Sequence, residues 1–222
     1  MSRKLYGAAL SPFVRKTRVF LKEKGLEYES VHIDPNDPPE DYHRLNPLRR
    51  IPAFEEDGLV LADSAVICDY LELRYPEPAL YPHTPEEHAR TLWFEKFADY
   101  EIGGQCTFRI FRNRVVMRLL GRDCDEEAVR KARDENMPPL LDYLEDELGD
   151  RKFLVGDRMS VADIALASQF VNLAHAGERL DEKRWPALVA HRERMHARTS
   201  FRGTIERESA FIEKVLDGGA GG

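Results

Sequence analysis

Apolar positions are spaced differently before and after about residue 75. The first third has short apolar runs, the length of strands, separated by amphipathic stretches. Beyond it, apolar residues recur at helical spacing almost to the end. Lys4-Leu5-Tyr6-Gly7 predicts a short buried strand. Pro12–Lys24 predicts a helix with Phe13, Val14, Thr17, Val19, Phe20 and Leu21 inward and Arg15, Lys16, Arg18, Lys22 and Lys24 in solvent. Gly25 suits the left-handed position that ends such a helix. Tyr28–Ile33 alternates like a strand, Asp34–Pro39 is a proline-rich turn region, and Glu40–Leu45 predicts a short helix. Two strands, Ile51–Glu55 and Leu59–Ala62, flank an Asp57-Gly58 hairpin signal. Ser64–Arg74 then predicts a helix with Ala65, Ile67, Cys68 and Leu71 inward. Residues 1–75 therefore read as βαβ followed by ββα.

Prolines crowd the stretch 76–84, which reads as a linker, and everything after it reads as helix. Thr84 or His83 caps a long helix starting at Pro85, which carries Trp93, Phe94, Phe97, Phe108, Ile110 and Phe111. Gly103-Gly104 interrupt that helix and predict a kink or a need for space. Asp125–Leu148 is a second helix, which Pro138-Pro139 should kink or divide. Ser160-Val161-Ala162-Asp163 has the form of a capping box, with Asp in place of the usual Glu or Gln. Met159 and Ile164 are spaced as a hydrophobic staple. Two more helices are expected around Pro186–Ala197 and Thr204–Leu216, and a disordered tail over 218–222.

Composition narrows the class. The chain is 42% hydrophobic and 33% charged with mean hydropathy −0.51. No apolar run approaches the ~20 residues that span a bilayer. The basic start Ser2-Arg3-Lys4 is not followed by a signal-peptide apolar region, so a cytoplasmic protein is expected. Net charge −7 argues against bulk binding to nucleic acid or anionic lipid. Cys68, Cys106 and Cys124 are odd in number and far apart, which fits neither a disulfide framework nor a metal site. His83/His88 and His191/His196 are spaced five apart, wrong for two ligands on one helical face. Arg109, Arg112, Arg114 and Arg118 read as a solvated helix face. No Walker loop or dinucleotide fingerprint is present.

Ser11-Pro12-Phe13 opening a helix after a strand, Arg18, Lys24-Gly25, Ile51-Pro52 before a strand, Asp63-Ser64 opening a helix and the Ser160–Asp163 box occur in this order. In them the chain resembles the glutathione transferase superfamily from about Lys4 to Leu216. The likeness is strongest to the serine-type, plant tau-like and related bacterial branches. The resemblance implies an α/β thioredoxin-like N-terminal domain (1–75) and an all-α C-terminal domain (85–222). It implies glutathione as co-substrate without a metal, a hydrophobic small molecule as second substrate, and a C2 homodimer in which one subunit's N-terminal domain packs on the partner's helical domain. It also implies a cis Ile51-Pro52 bond, whose Ile51 N–H and C=O pair with the cysteinyl unit.

On that resemblance Ser11 is the catalytic residue, a hydrogen-bond donor to the glutathione sulfur. A free thiol titrates near ~8.5, and the partial positive charge of a helix N-terminus with a hydroxyl donor favours the thiolate. On local sequence alone, the favoured reading of Ser11-Pro12 is an ordinary N-cap serine ahead of an N1 proline; the other motifs of the resemblance turn it to the catalytic one. Phe13, Arg50, Ile51, Pro52, Asp63 and Ser64 are the expected glutathione contacts. Asp63 takes the γ-glutamyl ammonium, Ser64 the γ-glutamyl carboxylate at a helix N-terminus, and Arg50 the glycyl carboxylate. Tau-like members usually carry lysine where this chain has Asp37, which leaves that end to Arg50 or His43. Leu10, Gly103, Phe108 and Phe111 are the expected lining of a wide apolar pocket between the domains. The expected activity is conjugation of glutathione to hydrophobic electrophiles. Alternatives on the same fold are ether cleavage, dehalogenation, peroxide or disulfide reduction, and a non-catalytic binding or regulatory role. Zeta-type isomerases usually carry Ser-Ser-Cys, where this chain has Ala9-Leu10-Ser11.

Overall fold

The computed structural model describes residues 2–218, with side chains through Lys214. Of the predicted tail, only Gly218 falls within the described residues, where it ends the last helix. The N-terminal part contains β1 (Arg3–Tyr6), α1 (Pro12–Glu23), β2 (Glu29–Val31), β3 (Ala53–Glu56), β4 (Leu59–Ala62) and α2 (Ser64–Arg74), with a 3₁₀ turn at Glu40–Arg44. The sheet order is β2-β1-β3-β4. β1 and β2 are parallel, as a βαβ unit requires, and the other pairs are antiparallel. Asp57 and Gly58 both take positive φ, 49° and 89°, and close the β3–β4 hairpin as the Asp-Gly signal predicts.

The register has one consequence for function. Val31, Tyr6, Ala53 and Ala62 form a single row across the sheet. The chain leaves β1 at that row toward Ser11, enters β3 from Ile51-Pro52, and leaves β4 into Asp63-Ser64. The sheet therefore delivers all three motifs to one end. Gly7, just past β1, is needed there for close approach, since a Cβ on it would lie 2.4 Å from Val14 Cγ2. Its N–H donates to Val31 C=O at 2.9 Å.

A long helix begins with Pro85–Lys96 and continues without a break through π-helical Phe97–Ile102, α-helical Gly103–Gln105, π-helical Cys106–Val116 and α-helical Met117–Leu119. It is labelled α3 throughout. α4 likewise runs through Glu126–Lys131, π-helical Ala132–Asn136 and Met137–Leu148. α5 (Val161–His175), α6 (Pro186–His196) and α7 (Thr199–Gly218) complete the fold. Thr84 caps α3, accepting from the Glu87 N–H. Pro138-Pro139 do not break α4. The wide i→i+5 turns immediately before them absorb the missing N–H groups.

Residues Val161–Leu173 of α5 are all buried, because the helix is surrounded on every side. One core combines Leu5 of β1, Val14 and Phe20 of α1 and Leu71 of α2 with Val161, Ile164, Ala167 and Val171 of α5 and Phe201 of α7. Another lies wholly among the helices around Phe94, Ile110, Phe111, Leu141 and Phe170.

The solvent face predicted for α1 needs correction. Arg15 and Lys16 are fully buried and Lys24 nearly so, while Lys22 is exposed as expected. The reason lies outside the helix. α1 is covered on its second side by the helical domain, which supplies partners for Arg15 and Lys16. Arg15 pairs with Glu208 of α7 at 2.5 Å and donates to Ser168 C=O and Asn172 Oδ1 of α5. Lys16 pairs with Glu95 at 2.9 Å and Asp99 at 2.5 Å, both on α3. Lys24 pairs with Glu72 at 2.6 Å and donates to Pro78 C=O, tying α1 to the connection between the domains. Burial alone would lower the Lys16 ammonium. Asp99 and Glu95 outweigh it and hold the group above the ordinary lysine range.

The Ser160–Asp163 box forms, and it does more than cap α5. Asp163 Oδ2 accepts from Ser160 N–H at 2.9 Å and from Ser160 Oγ at 3.1 Å. Its Oδ1 accepts from Leu154 N–H at 2.9 Å and faces His191 Nε2 at 2.8 Å. Met159 and Ile164 are both buried in the shared core, as the staple predicts.

Candidate functional site

Ser11 is the N-cap of α1, half-buried, with extended backbone angles. Its Oγ accepts from Val14 N–H at a long 3.4 Å, which leaves the hydroxyl proton available to an acceptor. Asp63 is the N-cap of α2, and its Oδ1 accepts from Ala65 N–H at 2.8 Å. Its φ of 76° is a left-handed value at a non-glycine residue, a conformation that clusters at functional sites. Ser64 follows as the first, buried residue of that helix. Two helix N-termini, each a source of partial positive charge, thus meet at the Val31–Ala62 end of the sheet.

The Ile51-Pro52 bond is cis, as expected; Glu77-Pro78 is also cis, which the sequence did not signal. Ile51 is half-buried and Pro52 buried directly before β3. Two residues that sequence reasoning missed hold this loop. Buried Tyr42 and Asn46 both donate to the Arg50 carbonyl, at 2.9 and 2.7 Å. The aromatic residue in the predicted short helix was their only signal. Arg49 takes φ 52° and turns its guanidinium onto Pro38 C=O at 2.7 Å. That leaves Arg50 as the exposed basic side chain at this point, with no hydrogen bond or ion pair among the described residues. His43 Nδ1 is 2.6 Å from Glu40 C=O, and Asp37 is exposed.

The helical domain closes over this end of the sheet through an aromatic contact. Phe13, half-buried on α1, stacks on Phe108 of α3 with centroids 6.1 Å apart, and Phe108 is 53% exposed. Leu10 is half-buried against the helical core. Of the residues expected to line a pocket, Phe108 is therefore exposed against Phe13, and Leu10 packs on the helical core directly before Ser11. Phe111 is buried in the helical core, and Gly103 is buried against Gln169 of α5, where a Cβ would lie 3.1 Å from Gln169 Nε2. Cys106 is buried, and burial pushes its thiol up to about 12; Cys68 is likewise buried and raised. Among the described residues, no group of three His, Cys, Asp or Glu side chains is placed to hold a metal ion. Among the described residues, no helix is long and apolar enough to cross a membrane.

The family models for the glutathione S-transferase N-terminal domain and C-terminal domain match residues 5–79 and 111–203. A maleylacetoacetate isomerase of Pseudomonas aeruginosa is 33% identical, covering 90% of this chain and 93% of its own. The crystal structure of a glutathione S-transferase from Rhodospirillum rubrum F11 superimposes with TM-score 0.84 at 30% identity, covering 91% of each chain. A glutathione S-transferase of Methylobacterium radiotolerans, solved in complex with glutathione sulfonate, does so with TM-score 0.76 at 30% identity, covering 92% of this chain and 95% of that one. With its four-stranded sheet, its helical second domain and these likenesses, the chain belongs to the glutathione S-transferase superfamily.

Proposed function

We propose that the protein is a serine-type glutathione transferase that joins the glutathione thiolate to hydrophobic electrophiles, with Ser11 donating a hydrogen bond to the sulfur. The observation that carries this reading is the convergence of two capped helix N-termini on one end of the sheet, with the Ser11 hydroxyl proton uncommitted at one of them. Lowering a thiol by one pKa unit takes about 1.4 kcal/mol, within reach of one helix terminus plus one charge-assisted hydrogen bond. Asp63 receives the γ-glutamyl ammonium on the oxygen that does not cap α2. Ser64 and the α2 terminus receive the γ-glutamyl carboxylate, and the Ile51 main chain beside Pro52 pairs with the cysteinyl unit. Arg50 meets the glycyl carboxylate. Phe13, Leu10 and Phe108 form the apolar wall for the electrophile, backed by Phe111 and the close Gly103 contact. The sulfur lone pair forms the new S–C bond and the leaving group departs with its electrons. A cytoplasmic homodimer acting in detoxification, divided at 1–75 and 85–222, completes this reading.

Calorimetric titration with glutathione, followed by ultraviolet titration of the bound thiolate, tests it. The expected result is binding with a thiol pKa below that of free glutathione, and in Ser11→Ala a pKa raised again with conjugation at pH 7 reduced at least tenfold, the size of one charge-assisted hydrogen bond. Unchanged conjugation in Ser11→Ala refutes the role of Ser11. No binding at millimolar glutathione refutes the enzyme reading. The 33% identity to a maleylacetoacetate isomerase favours a second reading, glutathione-dependent isomerisation. Against it stands Ala9-Leu10-Ser11, which puts no cysteine at the helix start.

A further inference from the structure

The part of α3 that carries Phe108 has a charge pattern that an apolar pocket does not need. Residues 102–122 hold five arginines (Arg109, Arg112, Arg114, Arg118 and Arg122) and no carboxylate, in a chain whose net charge is −7. Arg114 is neutralised by Glu126 at 3.1 Å and Glu178 at 2.5 Å. Arg112 has no hydrogen bond or ion pair among the described residues and is exposed. The next helix behaves differently, since its Arg130 and Arg133 are paired with Glu127 and Asp134. A merely solvated face would follow that second pattern, with signs interleaved.

Helical phase places Arg112. Cys106, Thr107, Ile110, Phe111 and Val115 are buried, which fixes the core side of this part of α3. Phe108 is on the opposite side, stacked on Phe13. Side chains on a helix lean toward its N-terminus, so the Phe13 ring leans toward Ser11. Under i→i+5 bonding, as under i→i+4, a residue four positions along returns to nearly the same face. Gly104, Phe108 and Arg112 therefore form one stripe. A Cβ at Gly104 would meet nothing within 4 Å, so that end of the stripe is open space.

We infer that the electrophile this site takes is anionic, an aromatic or otherwise flat apolar body bearing a carboxylate. The body packs against Phe108 and Phe13, and the carboxylate pairs with Arg112 one turn further along α3. The inference rests on the glutathione transferase reading and narrows its substrate class. For an aryl halide such as 4-chloro-3-nitrobenzoate, the thiolate forms the S–C bond at the chlorine-bearing carbon and chloride leaves with the C–Cl electron pair. The thiol proton goes to solvent, and the carboxylate remains intact to hold Arg112.

The test uses the two products as binding probes: the glutathione conjugate of 4-chloro-3-nitrobenzoate and the same conjugate with its aryl carboxylate methylated. Calorimetry gives the acid-to-ester affinity ratio. In the unaltered protein the acid is expected to bind about fivefold tighter, the size of one exposed ion pair, and the ratio should fall as salt is raised. Arg112→Gln should bring the ratio to one, and Arg112→Lys should keep part of the preference. Arg122→Gln, which removes the same charge beyond the end of α3, should keep all of it. If the protein binds glutathione but shows a ratio of one, or if Arg112→Gln keeps the full ratio, the inference is overturned and the transferase reading stands. If glutathione itself does not bind, both fall.

Discussion

Single side chains in this protein carry loads that their residue type does not announce. Asp163 accepts from two backbone N–H groups and the Ser160 hydroxyl, and faces His191, all inside the core. Asp163→Ala should therefore cost about 3 kcal/mol or more, because it strands buried donors rather than removing one cap, and denaturant midpoints will measure it. His196 is a second case. Burial lowers its pKa to about 4, while the bond to Ala167 C=O opposes the shift. The unfolded chain, near 6.5, then binds the extra proton between those values. Stability should fall as pH drops below about 6.5, by about 2 kcal/mol between pH 7 and pH 5. His196→Gln should lose that part of the pH dependence in chemical denaturation at the two pH values. The capping box was legible in the sequence because cap and partner are three residues apart. The reach of Asp163 to Leu154 and His191 was not, because those contacts exist only after the helices pack.

At the scale of elements, local pattern and tertiary demand agree through the first domain. Every strand and helix there was legible from alternation, the Asp-Gly hairpin and the Ser and Asp caps, within a few residues at each end. The long helices agree less well. Gly103-Gly104 read as one weak point, but the two glycines have different reasons. Gly103 is where α3 touches α5, and Gly104 faces open space. Gly104→Ala should raise stability by about 0.5–1 kcal/mol through helix propensity alone. Gly103→Ala should lose that gain or more, since Gln169, bonded to Thr107 at 2.6 Å, must give way. Paired thermal melts of the two variants separate these outcomes. The π turns on either side were invisible to a period of 3.6, because widened turns keep helical backbone angles while changing which residues meet.

At the scale of the whole molecule, the two domains share a core and two buried cations of α1, Arg15 and Lys16. Charged residues spaced along one side of a helix look like a wet face when only that helix is in view. Their partners, Glu95, Asp99 and Glu208, lie 79, 83 and 193 residues away in sequence, so no window along the chain could reveal them. Lys16→Met should destabilise by about 3–5 kcal/mol, because it leaves two carboxylates buried without a cation. The triple change Lys16→Met, Glu95→Gln and Asp99→Asn should recover much of that loss in urea melts. The same arrangement restricts how this protein can be recombined. A sheet domain exchanged with a relative would carry Arg15 and Lys16 into a foreign helical surface, where each would need a carboxylate already waiting. Chimeras cut at the linker should therefore fail unless α1 travels together with the acids of α3 and α7. The unit of inheritance is this helix and its partners rather than either domain.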